Sequence, residues 1–84
     1  MIVYGRVQGV FFRDATRRLA ERQGVAGSVK NTTDGTVEAV FEGSPDAVEK
    51  LVAFCQDGPH GAAVERVEVY EESPEGLSDF RVTG

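Results

Sequence analysis

The pattern of apolar and polar positions divides the chain into short segments of alternating period. "MIVYGRV", β-branched and aromatic, predicts a first strand at residues 1–7. From Phe12 the period lengthens. Phe12, Ala15, Thr16, Leu19 and Ala20 recur at helical spacing, Asp14, Arg17, Arg18, Glu21 and Arg22 fall on the other side, and Gly24 closes an amphipathic helix. "VAGSVKN" and "GTVEAVFEG" flank "TTDG", whose Asp34-Gly35 pair is a hairpin signal. A second helix follows in "SPDAVEKLVAFCQDG". Ser44 is its N-cap, Pro45 stands at its first position, Asp46 complements the dipole, Val48, Leu51, Val52 and Cys55 share a face, and Gly58 lies beyond its end. "GPHG" reads as loop, "AVERVEVYE" as an alternating strand, "SPEG" as a turn and "FRV" as a short last strand.

The order βαββαβ, with a terminal extra strand, predicts a single α+β domain over residues 1–84. It is a ferredoxin-like sandwich, with an antiparallel sheet and two helices on one face. In that topology the first and second strands run parallel with the third slotted between them, so their C-terminal ends share one edge. The "QGVFF" loop and Asn31 then become neighbours across two strand spacings, about 10 Å. A phosphate-sized anion and the long Arg13 side chain together can bridge that gap.

Composition narrows the function classes. With 84 residues, 40% of them apolar and 27% charged, the chain is large enough to bury a core without disulfides. It has no apolar run near the roughly 20 residues of a membrane span. Met1 leads directly into the first strand without a secretory leader, and Cys55 is the only cysteine; both fit the cytoplasm. One His and one Cys leave no ligand set for zinc, and no cofactor is called for. A net charge of −5 disfavours nucleic acid. The charge is nevertheless uneven: Arg6, Arg13, Arg17, Arg18 and Arg22 crowd the first quarter, and Glu65, Glu68, Glu71, Glu72, Glu75 and Asp79 load the last. A small anion is drawn to the first region where a polyanion is repelled by the whole. The expected partner is a small molecule, met by a monomer, with no membrane and no nucleic acid.

The stretch that carries candidate chemistry is "QGVFFR". It offers backbone N–H groups from Gln8, Gly9, Val10, Phe11, Phe12 and Arg13, relaxed by Gly9 and aimed near the positive end of the first helix. Arg13 adds a planar cationic fork suited to phosphate oxygens. The same residues also describe an ordinary strand-to-helix turn with a surface arginine, and Asn31 can equally be a strand-end residue before a turn. Cys55 is expected in the core, and His60 in a solvated loop. Tyr4 is placed either in the core or on the open face of the sheet, and the "ERVEVYEES" carboxylates on a solvated strand face.

"GRVQGVFFR" together with "GSVKNTTDGTVEAVFEG" resembles the two signature stretches of the acylphosphatase family, at matching places in a chain of this length. The resemblance implies metal-independent hydrolysis of carboxyl-phosphate mixed anhydrides. Arg13 and the loop amides of residues 8–13 would hold the phosphate, and Asn31 would orient the attacking water. The chemistry is compatible with so few residues. A carboxylate leaves without a general acid, and water can pass its proton to a phosphate oxygen. What remains is positioning and charge stabilisation. Two departures stand out: Ser28 occupies a place where the family commonly has an aromatic, and the first strand begins at Met1, where relatives usually carry several more residues, so that either the strand is short or the true start lies upstream. Three other functions compete. The first is a non-catalytic ferredoxin-like module that binds an anion or other ligand. The second is the related N-terminal domain of hydrogenase-maturation proteins, which the end of the chain at Gly84 disfavours. The third is an RNA-recognition module, which the glutamates of "TVEAVFE" disfavour.

Overall fold

The computed structural model describes residues 1–84. Its elements are β1 (Ile2–Arg6), α1 (Phe12–Gln23), β2 (Ala26–Asn31), β3 (Val37–Glu42), α2 (Pro45–Asp57), β4 (Ala63–Glu68) and β5 (Phe80–Val82). The five strands form one sheet in the order β4-β1-β3-β2-β5. β1 pairs antiparallel with β3 and β4, and β2 pairs antiparallel with β3. β1 and β2 are therefore parallel and flank β3, as the ferredoxin-like topology requires. The terminal extra strand, β5, joins the far edge parallel to β2.

Alternation along the strands sends Val3, Val29, Val37 and Ala39 to one face, where Phe12, Thr16 and Ala20 of α1 and Ala47, Leu51 and Cys55 of α2 cover them. The buried stripe of α2 differs from the sequence expectation. Leu51 and Cys55 are fully buried, but Val48 and Val52 are only half-buried and Ala47 takes the inner position. The small Ala47, one turn before Leu51, lets that end of the helix face the sheet closely. At the start of α2 the Ser44 hydroxyl accepts from the Ala47 amide at 3.3 Å, with Pro45 opening the helix.

β4 does not alternate simply. Val64 and Val67 both contribute to the apolar side although they are three positions apart. A bulge reconciles them: the β1–β4 register shifts between Tyr4 and Gly5, with Gly5 opposite Val64 and Tyr4 opposite Arg66. Gly5 makes this possible. Its φ is 127°, and a Cβ there would lie 2.2 Å from the Ala63 carbonyl oxygen. From β4 the chain crosses the whole sheet to reach β5. The Glu42 carboxylate fastens that crossover by accepting from the backbone amides of Glu75, Gly76 and Leu77 at 3.1–3.3 Å. Phe80 then stacks on Phe41 with ring centroids 5.9 Å apart, which closes the core at the β5 edge.

Candidate active site

The segment between β1 and α1 leaves the core at Val7, which is fully buried, and re-enters it at Phe12. Between these anchors the backbone alternates in hand. Gly9 has φ 75° and Phe11 φ 59°, whereas Val10 and Phe12 lie at negative φ. Such alternation turns successive N–H groups toward a common side, the arrangement of an anion-binding nest. The first helical hydrogen bond runs from Ala15 N to Phe11 O at 3.0 Å, so the earlier amides of α1 lie ahead of the helical ladder. Phe11 is the N-cap and offers no side-chain cap to them. Its ring is 82% exposed while its backbone sits in the left-handed region, an unfavourable place for a bulky residue without local compensation.

The charges around this end of α1 are sorted. Asp14 is held by Arg17 at 2.7 Å and Arg18 at 2.9 Å, and the hydrogen bond from Arg17 is the main reason its carboxyl sits below the usual range. Arg13 points away from that cluster, toward the β2–β5 edge. Its Nη1 donates to the main-chain oxygen of Gly84 at 2.7 Å. The same oxygen accepts from the backbone N–H of Asn31 at 3.4 Å. Arg13, in the first turn of α1, and Asn31, at the end of β2, are thereby brought to one point.

Asn31 is the last residue of β2, opposite Val37 of β3. Alternation puts it on the helix-covered face with Gly27 and Val29. Its Oδ1 is fully enclosed, and no other buried side-chain polar atom in the structure lacks a hydrogen-bond partner. The turn that follows is tightly knit. Asp34 accepts from the hydroxyls of Thr32 and Thr36 and from the Thr36 amide, and these bonds hold its carboxyl below the ordinary value. Thr32 N closes the turn onto Thr36 O at 3.0 Å. Gln8 reaches this turn from the loop: its Nε2 donates to Thr32 O at 2.8 Å and to Thr36 O at 2.9 Å.

The structure thus brings Gln8, Gly9, Val10, Phe11, Phe12, Arg13 and Asn31 to one edge of the sheet. Within that group Phe12 and Val10 also serve the core, Phe12 being 2% exposed and Val10 packing against the buried cluster. Sequence reasoning did not foresee the Gln8 side-chain bridge, the Thr32–Asp34–Thr36 network or the approach of Gly84. The first two were signalled only by residue type, and the third depends on a contact 71 residues long-range. The remaining candidates behave as ordinary structure. Cys55 is buried, which pushes its thiol up to about 12. His60 is exposed in a loop. Tyr4 lies half-buried on the open face with the Arg66 guanidinium 4.0 Å from its ring centroid. Ser28 is also on the open face, opposite Val40 and Arg81, so the missing aromatic leaves the helix-side core intact.

Comparison with known proteins bears on this site. The family model described as acylphosphatase matches residues 1–82. An acylphosphatase of Gloeobacter violaceus is 59% identical over 80 residues, which cover 95% of this chain and 86% of that protein. The crystal structure of acylphosphatase from Bacillus subtilis matches with a TM-score of 0.94 at 37% identity, covering 99% of this chain and 93% of that one. Full-length HypF in its phosphate- and nucleotide-bound form also contains a similar unit. There the TM-score is 0.88 and the identity 26%, over 99% of this chain and 11% of that one.

Proposed function

The chain belongs to the acylphosphatase family and hydrolyses acyl phosphates, and from that premise we propose how its residues divide the work. The phosphoryl group lies over the amides of residues 8–13, at the positive end of α1, with the Arg13 guanidinium on its oxygens. Asn31 orients the water. The observation that supports this reading is the convergence of Arg13 and Asn31 on the Gly84 oxygen, because it brings the guanidinium and the backbone N–H of Asn31 to one oxygen beside the loop.

Phosphate competes with the main-chain oxygen of Gly84 for the guanidinium and offers several charged oxygens to its planar fork. The backbone amides supply fixed dipoles toward the equatorial oxygens, where charge accumulates as the bond to the carboxylate loosens. Asn31 Oδ1 is enclosed, whereas its Nδ2 is neither hydrogen-bonded nor enclosed, so the donor end of the carboxamide is the one that meets the water. The water's proton passes to a non-bridging phosphate oxygen, the O–P bond to water forms as the P–O bond to the acyl group breaks, and the carboxylate leaves unprotonated. No step calls for a metal, a general acid or a basic side chain.

We further propose that residues 1–84 act as one domain and as a monomer, with a small molecule as the only partner. No helix is long and apolar enough to cross a membrane. The deciding test is hydrolysis of an aryl acyl phosphate in excess chelator, beside a phosphate monoester of similar size. Undiminished turnover of the first alone supports the proposal. Chelator sensitivity restored by a divalent ion contradicts the mechanism, and binding of phosphate without any turnover favours a ligand-binding module.

A further inference from the structure

Gln8 was expected to contribute its backbone amide to the loop, yet its side chain does something different. The loop after β1 and the turn after β2 are separated by the end of β3. The direct hydrogen bonds between residues 7–13 and residues 31–37 are the two made by the Gln8 carboxamide, to Thr32 O and Thr36 O. Those two carbonyls belong to the residues that close the turn, one onto the other. Asn31 immediately precedes Thr32. Its side chain has no tether of its own, since Oδ1 is unpartnered. The direction in which Asn31 presents its amide is therefore set through the backbone of a turn whose distance from the loop is fixed by Gln8.

We infer that Gln8 is a positioning residue that holds the phosphate loop and the Asn31 turn in catalytic register. The inference rests on the proposed water-orienting role of Asn31. The chemistry of the contact is selective. Two acceptors face one side chain, and an amide supplies two donors at that reach. A glutamate of the same length would place a carboxylate against two carbonyls, and a methionine would fill the space without donating. Both lose the register while leaving every loop amide and Arg13 in place.

The test measures kcat, KM and competitive inhibition by inorganic phosphate for Gln8→Met, Asn31→Ala and the double variant, with Gln8→Glu as a second probe and a denaturation curve for each. Misplacing a catalytic group by a fraction of an ångström to an ångström costs up to about a hundredfold, so Gln8→Met should lower kcat about tenfold or more. The phosphate inhibition constant should stay within about threefold, because the cradle itself is retained. In the Asn31→Ala background the same substitution should change kcat by less than about twofold, since what it positions is gone. Normal kcat in both Gln8 variants overturns the inference. So does a double variant whose loss is the product of the two single losses, or a loss of phosphate affinity as large as the loss of kcat. If Asn31→Ala alone turns over normally, the role of Asn31 falls and the inference falls with it. An additive double variant beside a crippled Asn31→Ala overturns only the inference. If Gln8→Met does not fold, Gln8→Glu decides by the same criteria.

Discussion

The guanidinium of Arg13 and the backbone amide of Asn31 meet on one main-chain oxygen, that of Gly84, at 2.7 and 3.4 Å. Neither residue is near the other in sequence: Arg13 lies in the first turn of α1 and Asn31 ends β2. They meet because β5 runs parallel to β2 and delivers Gly84 alongside Asn31, while α1 packs over β2 and β5. The shared oxygen lies where the proposed reaction places an oxygen of the phosphoryl group.

Arg13→Ala should lower kcat/KM by roughly a thousandfold or more, on the scale of losing a phosphate-stabilising arginine. The denaturation midpoint should move little, because the hydrogen bond Arg13 makes to the Gly84 oxygen is solvent-exposed. Arg13→Lys should recover only part of the rate, since a point charge does not reproduce the planar fork. Steady-state kinetics and phosphate inhibition on both variants check this. Retention of more than about a tenth of the parent rate by the alanine variant would place the cation elsewhere.

Phe11 carries backbone strain that its own side chain does not repay. Its φ is 59° and its ring is 82% exposed. Phe11→Gly should therefore stabilise the fold by about 1 kcal/mol, the usual difference between glycine and a side chain in the left-handed region. The neighbouring Phe12→Ala, which empties a site 2% exposed, should cost about 3–5 kcal/mol. Urea unfolding of the two variants tests the contrast. A destabilised Phe11→Gly protein would show that the exposed ring packs on something.

The alternation of β1, the face of α1 and the caps of α2 were legible in the sequence because each depends on neighbours a few positions away. The hairpin at Asp34-Gly35 was legible for the same reason. The β4 bulge was not foreseen. Only the three-residue spacing of Val64 and Val67 hinted at it, and the partner that fixes it is Gly5, far off in the chain. That Ala47 rather than Val48 takes the inner position on α2 depends on how closely the helix can approach the sheet, which periodicity does not encode. At the site, the loop amides, Arg13 and Asn31 came from motif and topology together. The double donation of Gln8 and the Gly84 contact came only from three-dimensional pairing. Residue type gives a glutamine two donors and does not say which carbonyls they meet.

Cys55 supplies a pH signature of the core. Burial pushes its thiol up to about 12, whereas a thiol in the unfolded chain ionises near about 8.5. The unfolded state thus sheds a proton that the folded state keeps. The corresponding stability is complete below pH of about 8.5 and is lost progressively as pH rises toward the folded value. Tyr4 and Tyr70, raised chiefly by hydrogen bonding to Glu68, push in the same direction. The Cys55 share is therefore the difference between the parent and Cys55→Ala in denaturant midpoint against pH. The alkaline limb should be shallower in the variant, and identical limbs would contradict the buried, neutral thiol.

The central claim, that this edge of the sheet catalyses rather than merely binds, turns on Asn31. A binding site needs the loop and Arg13, but only hydrolysis needs an aimed water. The decisive measurement is kcat on an aryl acyl phosphate beside the inhibition constant of inorganic phosphate, for the parent, Asn31→Ala and Asn31→Asp. Removing one positioned hydrogen-bonding group should cut kcat of Asn31→Ala about a hundredfold or more while leaving phosphate affinity within a few-fold. Asn31→Asp should be nearly as slow, because it exchanges an amide for a negative charge beside the phosphate. Normal turnover by Asn31→Ala would contradict the account and leave Asn31 as the residue that ends β2.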